Sequence, residues 1–277
     1  MLGVHPELYG LPEVNIFLAD TVGGMFQKAQ AMRMKRMFVD GVHRVIAQLH
    51  SGEQSEAAVE EAIAWVEARM HWPSARMYRY IARHVAPKRC VDKSPAYSSK
   101  LETLNRIRQC YPDALFLHLG RHPRPAGISL FNAFKGRAES RRLRGRLYAE
   151  MVEERWTSAQ ITILEFARSL PDDQYVYLRG EDLLNDPAAF LPQIAEWIGV
   201  SSDASSIEAM MHPERSPYAC VGPENALGGN NPGFLKDPAL RLKKIKSSSL
   251  DGPLEWMDSG AEFSAQTREI AHMLGYT

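Results

Sequence analysis

The stretch Leu115–Ser129, LFLHLGRHPRPAGIS, constrains the fold of this chain more than any other. Leu115, Phe116, Leu117 and Leu119 make an apolar run of strand length, the pattern of a strand covered on both faces, and it reads as a central parallel strand. Gly120-Arg121-His122-Pro123-Arg124 follows, setting a hinge and two permanent cations at the carboxyl end, where open α/β sheets hold their ligands. Pro123 and Pro125 suit a first helical turn, which has no use for their missing N–H groups, and that helix aims its positive end at the same place. Ser129 falls about two turns into it. A polyanion belongs at this edge.

A second segment repeats the device. A very short strand in Arg89-Cys90-Val91 ends in Asp92-Lys93-Ser94-Pro95, and Ser98–Gln109 reads as the helix after it. Alone, Lys93 is a surface lysine; beside a neighbouring strand that also ends in cations, it becomes part of a phosphate site. Gln174–Leu178 is a third strand, after the turn Pro171-Asp172-Asp173, and it leads through Arg179–Pro187 to a helix from Ala188 to Ile198 closed by Gly199. The alternation of strand and helix argues a parallel sheet with right-handed crossovers.

The remaining segments are mostly helical. Met25–Leu49 has methionines and basic residues at helical spacing. Ser55 starts a helix with Val59, Ile63, Val66 and Met70 on one face, Trp72-Pro73 breaks it, and Ser74–Val85 resumes as a helix rich in arginine and tyrosine. Met151–Leu170 carries Val152, Trp156, Ile161, Leu164 and Phe166 and should lie across the sheet. The chain opens as though at a helix end, with Gly3, Pro6 and Gly10 as breakers. Glu13 follows Pro12, and composition alone makes it a helix-start charge.

Past Val200, Ser201–Ser206 reads as a polar linker, and Gly222–Pro238 is dense in glycine, asparagine and proline. Composition leaves two readings open for that loop: a disordered insertion, or a nest in which Gly228, Gly229, Asn230, Asn231 and Gly233 take positive φ and turn N–H groups toward an anion. Glu255–Tyr276 is a closing helix. Of the histidines, His118 reads as a core residue, His122 as exposed at the ligand edge, and His212 as a turn residue.

Charge decides against several classes of partner. Lysine plus arginine equals aspartate plus glutamate at 33 each, so there is no global field for nucleic acid or anionic membrane, and any polyanion is bound locally. Cys90, Cys110 and Cys220 are too few and too scattered for a disulfide framework or a metal knuckle, which fits a reducing cytoplasm. No apolar run approaches the roughly 20 residues of a membrane span.

DKSPAYSS, LFLHLGRHPRPAGIS, YVYLRGEDLLNDP with its helix ending Trp197-Ile198-Gly199-Val200, and GNNPGFL together resemble, in order and spacing, the sulfotransferases that use 3′-phosphoadenylyl sulfate (PAPS), with a flavour of the sulfotransferase domains of polyketide synthases. The resemblance implies an α/β, P-loop-like three-layer fold with a short central parallel sheet flanked by helices. It implies a single domain over residues 1–277, with 201–277 closing the cofactor site. The implied activity is transfer of a sulfuryl group from PAPS to a hydroxyl or amine, on a small-molecule or carrier-bound hydroxylated acceptor, with no metal. Arg121 and Ser129 take the positions that hold the 3′-phosphate, and the Gly228–Leu235 loop closes over the same phosphate and the adenosine. Glu13, in Leu-Pro-Glu, takes the position of a base that removes the acceptor's proton, which a hydroxyl needs in order to attack sulfur.

The match begins just beyond the strand and loop that wrap the 5′-phosphosulfate in this family, so the expectation is a start upstream of Met1. As written, the chain is expected to bind the 3′-phosphate end weakly and to turn over poorly. A non-catalytic relative that keeps the nucleotide's 3′ half is the alternative. A phosphotransferase is disfavoured, since GxxxxGK[ST] occurs nowhere. By elimination, the Met25–Phe38 helix and Arg137–Arg146 wall the acceptor side.

Overall fold

The structure is a computed structural model that describes residues 1–31, 35–134, 148–242, 244–257 and 259–277. Arg137–Arg146 and part of the Met25–Phe38 helix, the expected acceptor walls, lie outside the described residues. In chain order the elements are β1 (Leu8–Gly10), α1 (Val22–Ala31), α2 (Lys35–Ser51), α3 (Glu56–Glu67), α4 (Ser74–Val85), β2 (Arg89–Val91), α5 (Leu101–Cys110) and β3 (Phe116–Gly120). They continue as α6 (Pro123–Phe134), α7 (Tyr148–Ala167), β4 (Tyr175–Arg179), α8 (Gly180–Asn185), α9 (Pro187–Ile198), α10 (Ala204–Met210), α11 (Pro232–Lys236) and α12 (Ala265–Met273). This is an α/β fold of short parallel strands flanked by helices, as the sequence led us to expect. Two compact units make it up: Met1–Tyr97, Glu102–Pro112 and Ala188–Arg241 form the first, and Ser98–Leu101, Asp113–Pro187 and Leu242–Thr277 the second.

In the first unit the helices form where the apolar spacing put them. Val42, Val45 and Ile46 of α2, Val59, Ala62 and Val66 of α3, and Met77 and Ile81 of α4 share one core. Ser55 caps α3 by accepting the Ala58 N–H, and Pro73 sets the start of α4. On the outer side, Trp65 meets Trp72 at 5.6 Å and Tyr80 at 4.7 Å between ring centroids, and the Arg69 guanidinium lies 3.8 Å over Trp65.

Two expectations fail in this unit. The opening segment is not a helix end: Leu8–Gly10 is a strand, paired parallel to β2 with Leu8 opposite Arg89 and Gly10 opposite Val91. Three residues are too short to show either period, and its burial comes from distant partners, since Leu8 packs with Ala195 and Val200. Gly3 and Gly10 approach so closely that a Cβ on either would overlap the other's backbone. Nor is Ser201–Ser206 a simple linker, because Asp203 accepts the Ser206 N–H and starts α10.

The second unit is built on β3 and β4, paired parallel from Phe116 opposite Tyr175 to Gly120 opposite Arg179. Its core gathers Tyr148, Val152 and Trp156 of α7 with Leu254, Trp256, Phe263 and Ile270. The apolar run of β3 is not covered on both faces: His118 and Gly120 are buried, whereas Leu119 is 53% exposed. Burial thus alternates with the period of a strand that has one covered side. His118 is the core residue expected; its ring nitrogens bond the Tyr175 hydroxyl at 2.8 Å and Gln160 Oε1 at 2.9 Å, and burial pushes its pKa down to about 4. Among the described residues β3 pairs with β4 and β2 with β1, each in a two-stranded ladder.

Gly127 of α6 lies flat against the Trp256 ring, in space that any Cβ would overlap. The closing helix is shorter than its sequence suggests, Ala265–Met273, and Ser264 caps it. The segment before it is tied down by Arg124, as described below.

Candidate functional site

Glu13 sits in the turn between β1 and a 3₁₀ turn at Ile16–Leu18. Pro12 precedes it and Asn15 follows, with Asn15 in the left-handed region at φ 54°, a conformation that asparagine tolerates better than most residues. The Glu13 N–H donates to the Gly229 carbonyl at 2.7 Å. The Asn15 side-chain amide donates to the carbonyls of Glu13 (3.2 Å) and Phe38 (3.3 Å), and its backbone N–H donates to Ser94 Oγ (3.2 Å). The backbone of this turn is therefore held from three sides.

The Glu13 carboxylate is engaged too. Lys93 Nζ donates to Glu13 Oε1 at 2.6 Å; the glutamate side chain is 20% exposed and the lysine 61%. Lys93 leaves the end of β2 because the next residues turn sharply. Asp92, buried, accepts the Ser94 hydroxyl at 2.7 Å and the Tyr97 hydroxyl at 3.0 Å. Burial pushes Asp92 up to about 6, against the opposing pull of those two hydrogen bonds.

The glycine–asparagine loop meets the same turn in a different form from the expected nest. Only Gly229 of these residues has positive φ, at 93°. The Gly228 N–H donates to Asp40 Oδ2 at 2.8 Å, and the Gly233 N–H to the Asn231 side chain at 2.7 Å, which caps α11. The Gly228 carbonyl accepts from Arg44 at 3.2 Å, and the Asn230 amide donates to the Tyr218 carbonyl at 3.0 Å. A carboxylate from α2 and the loop's own cap have taken N–H groups that composition had offered to an anion.

Arg121 and Ser129 belong to the second unit, at the end of β3 and on α6; both are exposed. The Arg121 carbonyl accepts the Trp156 indole N–H at 3.0 Å, while its guanidinium meets no hydrogen-bonding or ionic partner among the described residues. It is a free cation on a fixed backbone.

Its two neighbours in the motif behave otherwise. His122 is buried rather than exposed at the ligand edge: its N–H donates to Glu181 at 2.8 Å, and burial lowers its pKa. Arg124 is buried as well, and its guanidinium is spent inside the protein. It donates to the carbonyls of Ser249, Pro253, Asp251 and Gly252 at 2.8–3.1 Å and to Glu255 Oε2 at 3.0 Å. The sequence offered two cations for a ligand; the structure gives one to solvent and one to the core.

The structure thus brings Glu13, Lys93 and Gly229 together, and sets Arg121 and Ser129 at a strand end and the helix after it. Sequence reading passed over Asn15, Asp40 and Gly41. Only Asn15 carried a signal, as an asparagine two residues past Pro12-Glu13. Among the described residues no group of three or more metal-ligating side chains converges.

An α/β chain with a free arginine at a strand's carboxyl end and a carboxylate–ammonium pair in a backbone-held turn has the features of a group-transfer protein for anionic donors. The sequence pattern of the sulfotransferase family matches residues 1–204, and the chain belongs to that family. The matched region includes Glu13, Lys93, Arg121 and Ser129; the loop at 228–233 lies beyond it. Among solved structures, the sulfotransferase domain of the Synechococcus PCC 7002 olefin synthase is similar at 24% identity and a TM-score of 0.74, over 100% of this chain and 88% of that one. The sulfotransferase domain from the curacin biosynthetic pathway is similar at 21% identity and a TM-score of 0.74, over 100% of this chain and 91% of that one. Both likenesses are of fold. A comparison with curated protein sequences found no match.

Proposed function

We propose that this chain, working as one sulfotransferase-like domain, transfers a sulfuryl group from PAPS to a hydroxyl of a small-molecule or carrier-bound acceptor, with no metal. The observation that carries the reading is the Glu13–Lys93 pair, a carboxylate held at 2.6 Å from an ammonium in the stretch that the family pattern matches. PAPS supplies the activated sulfuryl group. Glu13 takes the acceptor's proton as the oxygen–sulfur bond forms, and the bond from sulfur to the phosphate oxygen breaks with its electron pair going to the leaving phosphate. Lys93 holds Glu13 ionised and keeps a positive charge beside the reacting groups.

Arg121, whose guanidinium is free, and Ser129 hold the 3′-phosphate in this reading, and Lys93 and the backbone of Gly228, Gly229, Asn230, Asn231 and Gly233 serve the nucleotide. An arginine suits a phosphate because its fork can donate twice. The similar domains come from an olefin synthase and a biosynthetic pathway, which favours a biosynthetic acceptor. No described helix is long and apolar enough to cross a membrane. A cytoplasmic setting is proposed on the three free cysteines.

The test is calorimetric titration with the desulfated product, 3′,5′-bisphosphoadenosine (PAP), followed by a sulfuryl-transfer assay with PAPS. The expected result is PAP binding that Arg121→Ala weakens by about tenfold or more, in line with the loss of a charge-assisted contact. Binding unchanged in that folded variant would remove Arg121 from the site. Full turnover by Glu13→Gln would remove the base.

A further inference from the structure

The Glu13 turn and the glycine–asparagine loop have more in common than one hydrogen bond. Both rest on the same two residues of α2. A Cβ on Gly41 would overlap the Glu13 carbonyl, so the turn lies directly on the helix at that point. A Cβ on Gly229, in turn, would come within 2.9 Å of Gly41 Cα, so the loop lies on the same point from its own side. Next to it, Asp40 accepts the Gly228 N–H at 2.8 Å. One turn on, the buried Arg44 donates to the Gly228 carbonyl at 3.2 Å, to the Cys220 carbonyl at 3.0 Å and to Gln54 Oε1 at 2.6 Å. The circuit closes through the Glu13 N–H, which bonds the Gly229 carbonyl at 2.7 Å.

We propose that Asp40 and Gly41 of α2 are positioning residues that couple Glu13 to the Gly228–Gly229 turn, so that the reactive carboxylate and the loop are set and displaced together. The proposal rests on Glu13 being the base. Neither Asp40 nor Gly41 is given contact with acceptor or nucleotide; each acts through backbone. The physics is that of a shared support. A helix is stiff, a glycine lets two chains approach it closely, and a buried carboxylate binds an N–H more strongly than a neutral acceptor does. Asn15 completes the support from the other side, since its amide ties the Glu13 carbonyl to the Phe38 carbonyl just before Asp40.

The experiment is native-state hydrogen exchange resolved to single amides in the full chain, with Asp40→Asn as the principal variant and Gly41→Ala as the second. Asp40→Asn keeps shape and removes charge, so exchange at the Gly228 amide should rise about tenfold, the worth of one charge-assisted hydrogen bond. Coupling requires the Glu13 amide to rise with it, while the Val59 amide of α3 stays unchanged. A rise confined to Gly228, or an equal rise at Val59, overturns the proposal.

Turnover supplies the second readout. Asp40→Asn should lower kcat with acceptor KM held, and should add nothing in a Glu13→Gln background; additive losses overturn the proposal. Should Glu13→Gln keep full turnover, the base reading fails alone, because exchange at the Glu13 amide still decides whether the two segments are coupled.

Discussion

Replacing Arg124 with methionine separates the two arginines of the LGRHPR stretch by role. The guanidinium donates five hydrogen bonds to the segment Ser249–Glu255 and lies 5.4 Å from the Phe263 ring centroid. A hydrogen bond to a charged group contributes about 1.5–3 kcal/mol, but acceptors that reach water recover most of that when the donor leaves. Asp251, Pro253 and Glu255 are exposed and recover, whereas Ser249 and Gly252 are only half so. Methionine also avoids the cost of burying a charge. The net loss expected is about 3 kcal/mol, a large share of the roughly 5–15 kcal/mol that holds a domain together. Urea unfolding followed through the tryptophan signal of the second unit measures it, with Arg121→Met as control, expected within about 0.5 kcal/mol of the parent because that side chain is exposed. Arg124→Lys should recover little, since one ammonium cannot reach acceptors spread over the whole loop. A loss below about 1 kcal/mol in Arg124→Met would refute the assignment of this arginine to structure.

Further tests follow from burial and capping. Asp92, raised from 3.8 to about 6, contributes stability that is full below its unfolded value and lost as pH rises through about 6. Asp92→Asn should therefore abolish a loss of up to about 3 kcal/mol between pH about 4 and about 6, read by denaturant titration at each pH. His118, lowered from 6.5 to about 4, has the opposite sign: its contribution is present above 6.5 and is lost as pH falls through about 4, a slope that His118→Gln should remove. Cys220 is exposed, while burial pushes the Cys90 thiol up to about 12, so a maleimide at neutral pH should label Cys220 and spare Cys90 until the protein unfolds. Ser55→Ala should cost about 1 kcal/mol through loss of the α3 cap, measured by thermal melting.

Helices that bury a regular stripe were legible in the sequence. α4 runs over Ser74–Val85, as read from Pro73 and the spacing of Met77 and Ile81, and α3 begins where Ser55 predicts. β4 was legible within a residue, because a turn precedes it. What the sequence hid were elements fixed by distant partners: β1, whose three residues gain their place from β2 and α9, and the inner face of β3, where an apolar run masks alternating burial. The site divides the same way. Arg121 and Lys93 stand at strand ends where local chemistry points, and the structure keeps them exposed. Arg124 and His122 look identical to ligand-facing residues in sequence, yet the 249–255 segment and Glu181, far along the chain, take them inward. Asp40 and Gly41 gave no signal, since a helix residue that supports two loops resembles any other helix residue.

The aromatic cluster on the outer side of the first unit has an optical consequence. Trp65 and Trp72 stand edge to face at 5.6 Å with a guanidinium against them, whereas Trp156 and Trp256 sit in the core of the second unit. Closely stacked indoles split each other's electronic transitions and leave a paired circular-dichroism band, which isolated indoles do not. Loss of that band on heating therefore clocks the first unit alone, and the emission of a Trp65→Phe, Trp72→Phe variant draws more of its intensity from the second. One chain, without any added dye, carries separate spectroscopic handles for its two halves.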